Sequence, residues 1–87
     1  MNWYLVNLKP GKRELFVKYL NQAIQKNQLE DIFLGILTPA DSIYKDMVFL
    51  QLKDLKTARP HLQLIEHFQK IEPRPIPPEQ ISKIVGV

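Results

Sequence analysis

The fold of this chain is decided by residues 2–24, which read NWYLVNLKPGKRELFVKYLNQAI. The segment from Asn2 to Lys9 is aromatic or aliphatic at most positions, which is typical of a central β-strand covered on both faces. Pro10-Gly11 then ends this strand. The apolar residues that follow recur at helical spacing and form one stripe: Leu15, Phe16, Tyr19, Leu20, Ala23 and Ile24. The segment therefore predicts a buried strand followed by an amphipathic helix.

Length and composition restrict the class of protein. The chain has 87 residues, 45% of them hydrophobic and 24% charged, which predicts one soluble globular domain spanning residues 1–87. It has no cysteine, which excludes a disulfide framework, a thiol nucleophile and Cys-based zinc sites. It has no signal peptide and no run of about 18 apolar residues, so we expect a cytoplasmic protein without a membrane segment. The net charge of +3 allows an acidic partner without requiring one.

The remaining elements are predicted from apolar runs and prolines. Three more strands are expected, at Ile32–Leu37, Met47–Leu52 and Phe68–Glu72, with a bulge or close packing at Gly35. Proline is tolerated in the first turn of a helix, so a second helix is expected from Arg59 or Pro60 to about Phe68, with Leu62, Ile65 and Leu64 directed inward. Pro78 is expected to begin a last helix that ends near Val85. The order β-α-β-β-α-β-α predicts an α+β fold, in which helices flank a small, mostly antiparallel four-stranded sheet in a ferredoxin-like or RNP-like sandwich.

The residues that catalysis or metal binding would need are not suitably spaced. His61 and His67 are six positions apart on a predicted helix and do not share a ligand face. Glu30 and Asp31 are adjacent rather than facing, and no Ser, Thr or His completes a nucleophilic arrangement. The sequence therefore predicts a protein that is not an enzyme and that has no cofactor and no metal site.

Two features indicate binding instead. Alternate residues from Val48 to Leu52 share one face of the third strand, whereas Met47 and Phe49 share the other, which is also expected to hold Asn7 and Tyr44. One short helix does not cover that second face, and an apolar surface left exposed is normally a binding surface. The alternative is that the second helix and the proline-rich tail bury it completely.

The second feature is a pair of basic residues at the start of the first helix. Lys12 and Arg13 stand where the helix dipole favours acidic side chains. This placement is compatible with an acidic partner surface or with a pair of solvated charges.

The whole pattern resembles the N-terminal (NGN) domain of the NusG and RfaH family of transcription elongation factors. The similar segments, in chain order, are Trp3-Tyr4-Leu5-Val6, Gly11 with Glu14, Val17 and Leu20, Leu29 to Phe33 with Leu37-Thr38-Pro39, Lys45 to Leu52, and Pro75 to Ile81. They extend over residues 3–85, and their order and spacing carry more information than any one of them.

The sequence also departs from the family pattern. Lys45-Asp46 stands where the family has Pro-Gly, Met47 replaces the usual tyrosine, and Phe68 to Glu72 replaces a strand with the pattern G-V-x-x-F-V-G. The basic segment between the second and third strands is shortened. Nothing in these 87 residues resembles the KOW domain through which relatives recruit ribosome or termination factors, so those activities are not expected of it.

The resemblance implies a non-catalytic transcription elongation or antitermination module. N-terminal domains of this family lay an apolar concavity on the clamp helices of RNA polymerase. The matching positions in this sequence are Asn7, Tyr44, Met47 and Phe49, with a second contact at the start of the second helix, at Thr57, Arg59 and His61. The implied partner is RNA polymerase, with nucleic-acid contact secondary, no membrane, and the chain a monomer or weak homodimer.

Two other functions stay open from the sequence. The first strand and Lys45 to Leu52 are partly similar to an RNA-recognition motif, in which Tyr4 and Phe49 would stack on bases. The other possibility is a repurposed interaction module, in which the same fold docks a different coiled coil or forms a homodimer across the sheet.

Overall fold

A computed structural model of the chain describes residues 1–85. Within those residues it contains four strands, three α-helices and one 3₁₀ turn. The elements are β1 (Asn2–Leu8), α1 (Arg13–Asn27), β2 (Phe33–Leu37), the 3₁₀ turn (Ser42–Tyr44), β3 (Met47–Leu52), α2 (Leu55–Leu62), β4 (Phe68–Ile71) and α3 (Pro78–Ile84). No helix in this part of the chain is long and apolar enough to cross a membrane.

The four strands form one antiparallel sheet in the order β2-β3-β1-β4. The first strand of the chain lies inside the sheet because it pairs with β3 on one side and with β4 on the other. In the register of β1 and β3, Leu5 lies opposite Phe49 and Asn7 lies opposite Met47. This arrangement confirms the predicted α+β fold with a four-stranded antiparallel sheet flanked by helices.

One face of the sheet, here called the core face, is closed by α1 and α2. Phe16 and Leu20 of α1 and Ala58 and Leu62 of α2 are all fully buried against it. The strand residues on this face are buried as well: Tyr4, Val6, Leu8, Val48, Leu50 and Leu52. Because side chains alternate along a strand, the residues between them point to the opposite side of the sheet.

A packing contact explains the glycine of β2. The pairing of β2 with β3 is irregular between Phe33 and Gly35, as predicted for this position. A Cβ atom added at Gly35 would lie 3.1 Å from Cη2 of Trp3, so the indole ring crosses β3 and rests against the glycine backbone. Trp3 also forms an antiparallel bridge with Ile76, which connects β1 to the segment before α3.

The predicted start of the second helix is wrong. The structure begins α2 at Leu55 rather than at Arg59 or Pro60, because the Asp54 carboxylate accepts a hydrogen bond from the Lys56 N–H at 3.1 Å and caps the helix. Pro60 is the sixth residue of α2, where its missing N–H costs one hydrogen bond, and the helix ends two residues later. Leu64 lies beyond that end and is 85% exposed, so it is not directed inward as predicted.

The predicted end of the second helix is also wrong, because the structure ends α2 at Leu62 and places Phe68 at the start of β4. The remaining boundaries lie close to their predicted positions. The helix α1 ends at Asn27, followed by Gln28 in the left-handed conformation, which closes the helix with a backbone bond to Ile24. The predicted edge strand is present as β4, and Pro78 is the first residue of α3. The helix α3 and the proline-containing segment before it lie on the side of the sheet opposite α1, where the candidate site is found.

Candidate docking face

The candidate site lies on the side of the sheet opposite the core face, here called the α3 face. Its strand residues are Trp3, Leu5, Asn7, Met47, Phe49 and Gln51. Five of these six side chains are half-buried, and Phe49 alone is buried. The α3 face is therefore covered only in part, by α3, by the segment before it and by the 3₁₀ turn.

The structure brings four sequence-predicted residues together on this face. Asn7 and Met47 lie opposite each other in the pairing of β1 with β3, and Phe49 is the next residue of β3 on the same side. Tyr44 comes from the 3₁₀ turn, and its ring meets that of Phe49 edge to face, with centroids 5.4 Å apart and an interplanar angle of 72°. These four residues therefore form one continuous patch on β1, β3 and the connection before β3.

The sequence predicts that Phe49 belongs to an apolar surface left exposed, and the structure differs. It is only 2% exposed, because the Tyr44 ring packs against its ring and residues from α3 and the preceding segment line the cleft beside it. The alternative in which the second helix and the tail bury this face completely is wrong, because α2 packs on the core face and Asn7, Tyr44 and Met47 stay half-buried. Only Phe49 is buried as that alternative expects. A partner would meet Asn7, Tyr44 and Met47, while Phe49 supports them from below.

A cleft of about 220 Å³ separates the α3 face from α3. Its walls are largely apolar, with Glu72, Arg74 and Gln80 among Leu5, Tyr44, Phe49, Ile76 and Ile84. The volume is below the roughly 300 Å³ at which small-molecule pockets begin. The shape and the apolar walls suit an apolar side chain of a protein segment laid across the face better than a bound metabolite.

The connection that carries Tyr44 is fastened to the start of α1. Nη1 of Arg13 lies 3.0 Å from the carbonyl oxygen of Pro39 and 2.9 Å from that of Tyr44, and the guanidinium donates to both. The carboxylate of Asp46 accepts a hydrogen bond from the Gly11 N–H at 2.9 Å. Arg13 therefore faces carbonyl oxygens of its own chain and is not free for an acidic partner. The only indication of this in the sequence was a basic residue at the wrong end of a helix.

The three residues predicted for a second contact are not brought together. Thr57, Arg59 and His61 all lie on α2, which packs on the core face rather than on the α3 face. Arg59 lines a shallow cleft of about 530 Å³ with Tyr4 and Lys56, whereas His61 lines a different groove beside the end of α1.

Thr57 has a local structural role. Its hydroxyl donates a hydrogen bond to the Asp54 carboxylate, and this bond is the main reason that the pKa of Asp54 is lowered from 3.8. Backbone N–H groups of Lys56 and Thr57 act in the same direction, since they also stabilise the charged carboxylate. The pair Asp54 and Thr57 fixes the beginning of α2.

The base-stacking pair expected of an RNA-binding module does not form. Tyr4 lies on the core face and is 8% exposed, whereas Phe49 lies on the α3 face and is 2% exposed. Because the two rings are on opposite sides of the sheet, they cannot make one stacking platform. Among residues 1–85, no group of three or more His, Asp or Glu side chains is placed to hold a metal ion.

Comparison with known proteins identifies a related fold. No family model matches this sequence, and no curated protein matches it. Among solved structures, the chain is similar to a chain from the crystal structure of the MjSpt4:Spt5 complex in conformation B, with a TM-score of 0.79 and 18% sequence identity. The match covers 98% of this chain and 55% of that one, so this chain spans about half the length of its structural neighbour. The likeness supports the NusG-like fold that the sequence resemblance implies.

Proposed function

We propose that this chain is a non-catalytic, NusG-like transcription elongation or antitermination module that binds the clamp helices of RNA polymerase through its α3 face. The observation that supports this most directly is the patch of Asn7, Tyr44 and Met47 around the buried Phe49. The residues that the family resemblance implies for polymerase binding are contiguous and accessible except at Phe49. Their fold is similar over 98% of the chain to part of an Spt4:Spt5 complex.

The physical basis of the proposed docking is a helix seated against a partly covered apolar face. Met47 is unbranched and polarizable, so it can adapt to a partner surface where family members use tyrosine. Asn7, opposite it in the sheet, provides both a donor and an acceptor beside the apolar contact. The cleft between the sheet and α3 gives room for one side chain of the partner helix.

A second contact at α2 remains part of the proposal, although α2 and the α3 face lie on opposite sides of the sheet. Thr57 and Arg59 are exposed on the layer that covers the core face, so they lie across the sheet from Met47. A partner that touches both regions must reach around the domain, or two separate parts of the polymerase must each contact one layer. We propose that the module acts in the cytoplasm, together with the elongating polymerase.

The proposal is tested by titrating a labelled clamp-helix coiled-coil peptide against wild-type protein and Met47→Asp. A carboxylate on the α3 face would lose its hydration against an apolar partner, so we expect at least a tenfold rise in Kd. Leu64→Asp is the matched control, because Leu64 is 85% exposed at the end of α2, away from the α3 face. Equal Kd values for the two variants would contradict the proposed site.

Titrations of the peptide and of a single-stranded RNA pool at low and high salt distinguish this function from the other two candidates. Binding through an apolar contact changes little between low and high salt, whereas binding of single-stranded RNA weakens steeply as counterion release loses its effect. Wild-type protein that binds an RNA pool and not the peptide would favour the RNA-binding function. Wild-type protein that binds neither would favour a repurposed interaction module.

A further inference from the structure

Arg13 makes an unusual set of contacts for the first residue of a helix. Its Nη1 lies 3.0 Å from the Pro39 oxygen, 2.9 Å from the Tyr44 oxygen and 3.5 Å from the Met47 oxygen. All three acceptors are backbone carbonyls of the connection between β2 and β3 or of its junction with β3. One guanidinium therefore binds carbonyl groups that are spread over the nine residues from Pro39 to Met47.

These carbonyls need a partner because the connection has little regular structure of its own. In the part of the chain that the structure describes, residues 1–85, the only regular element between β2 and β3 is the 3₁₀ turn at Ser42–Tyr44. Half-buried carbonyl groups outside a ladder must be satisfied by side chains or water. A positive guanidinium is a strong donor for them, and their partial negative charges offset its unfavourable position at the N-terminus of α1.

A second set of bonds holds the end of the connection that adjoins β3. The Asp46 carboxylate accepts from the Gly11 N–H at 2.9 Å, and the Asp46 carbonyl accepts from the Leu8 N–H at 3.0 Å. The bonds of Arg13 and Asp46 thus both fasten the connection to the segment from Leu8 to Arg13. The connection is fixed immediately before Met47, where the α3 face begins.

We propose that Arg13 is a positioning residue for the α3 face. By holding the carbonyls of Tyr44 and Met47, it keeps the Tyr44 ring against Phe49 and keeps Met47 opposite Asn7. Arg13 lies on the far side of these backbone groups and does not need to touch the partner. The expected effect of Arg13 on partner binding rests on the proposed function. The expected effect on the position of the Tyr44 ring does not.

The test compares Arg13→Met with Arg13→Lys and with Lys12→Met. Arg13→Met removes the donors, Arg13→Lys keeps a cation with three donors, and Lys12→Met removes the same charge from an exposed neighbour at the same helix end. The first readout is the nuclear Overhauser contact between the rings of Tyr44 and Phe49. The second is hydrogen exchange at the amides of Tyr44 and Lys45, which bond to Asp41 and Ser42.

We expect Arg13→Met to lose the ring contact and to exchange at least tenfold faster at the Tyr44 and Lys45 amides, with exchange in α1 beyond its first turn unchanged. Arg13→Lys should retain most of the protection, and Lys12→Met should behave as wild type. Unchanged ring contact and exchange in Arg13→Met would overturn the proposal. If Arg13→Met does not fold, Arg13→Gln is measured instead. Hydrogen-exchange protection of its Tyr44 amide equal to that of wild type would then overturn the proposal.

Binding of the clamp-helix peptide is the third readout. If wild-type protein binds, Arg13→Met should raise Kd at least tenfold while Lys12→Met leaves it unchanged, and equal binding by Arg13→Met would refute the role of Arg13 in docking. If wild-type protein does not bind, the polymerase proposal fails, and the ring contact and amide exchange still decide whether Arg13 positions Tyr44. The two failures are therefore distinguishable.

Discussion

The two faces of the sheet are built from the same strands and are covered very differently. On the core face, the residues of β1 and β3 other than the terminal Asn2 are at most 8% exposed beneath α1 and α2. On the α3 face, one seven-residue helix and a 3₁₀ turn bury only Phe49 of the alternate residues in the same two strands. The two faces therefore have different roles, because the core face provides most of the stability and the α3 face provides accessible apolar surface.

The largest effect is expected on the core face. Phe16→Ala should lower the free energy of unfolding by about 3–5 kcal/mol, because Phe16 is fully buried and its removal leaves a cavity between α1 and the sheet. Equilibrium urea unfolding measures the change. Leu15→Ala is the control, because Leu15 lies on the same helix and is 37% exposed. This variant should lose much less of the free energy of unfolding. A loss below about 1 kcal/mol for Phe16→Ala would mean that the core face is not closed.

A smaller loss of stability is expected at the one buried residue of the α3 face. Phe49→Ala should cost about 2–3 kcal/mol, at or below the low end of the range for Phe, because the thin layer of Tyr44 and α3 can collapse into the space. Urea unfolding of Phe16→Ala and Phe49→Ala under the same conditions compares the faces directly. A loss at Phe49 as large as that at Phe16 would show that both faces act as cores.

The edge of the α3 face offers a test of the contact between Trp3 and Gly35. Gly35→Ala should cost about 1 kcal/mol, because the added methyl group would lie 3.1 Å from the indole ring and the ring must shift. In a Trp3→Ala background the same change should become stabilising by about 0.4–1 kcal/mol, since it then only restricts the unfolded chain. A double-mutant cycle by urea unfolding measures the coupling, and additive effects would contradict the contact.

The smallest effect is expected at the surface of the helix layer, at the cap of α2. The folded pKa of Asp54 is below 3.8, so its contribution to stability is present above that pH and is lost as pH falls through the folded value. Asp54→Asn keeps an acceptor for the Lys56 N–H and removes the titration. Urea unfolding at pH 7 and at pH 2.5 should therefore show a smaller fall in stability for Asp54→Asn than for wild type. An equal fall in both proteins would contradict the role of Asp54.

The sequence predicted the core face better than the α3 face for a physical reason. The stripe on α1 and the alternation in β3 are local patterns, and each indicates which side chains point inward. Leu15 is the exception in the stripe, because it is 37% exposed. The burial of Phe49 depends on where Tyr44 and α3 lie, which is a matter of tertiary packing between segments far apart in the sequence. The patch of Asn7, Tyr44 and Met47 was predicted correctly as a neighbourhood, but the exposure of Phe49 was not.

The two local errors have different causes. The start of α2 was readable in principle, because Asp54 followed by Thr57 is a capping pattern, but Pro60 was given more weight as a helix start. The sequence marked Arg13 only as a basic residue at the unfavourable end of a helix. It did not indicate the partners of Arg13, because those are backbone carbonyl groups, which every residue has.

The central position of β1 has a consequence for how the chain is made. This strand is translated before both of its neighbours, because Asn2 pairs with Leu52 and Val6 pairs with Ile71. At about 5–20 residues per second, translation leaves the apolar strand without either neighbour for a time on the order of seconds. During that interval its apolar residues can be shielded only by α1, by the ribosome surface or by a chaperone. A strand that lies between two neighbours in the finished sheet thus waits, after its own synthesis, for both of them.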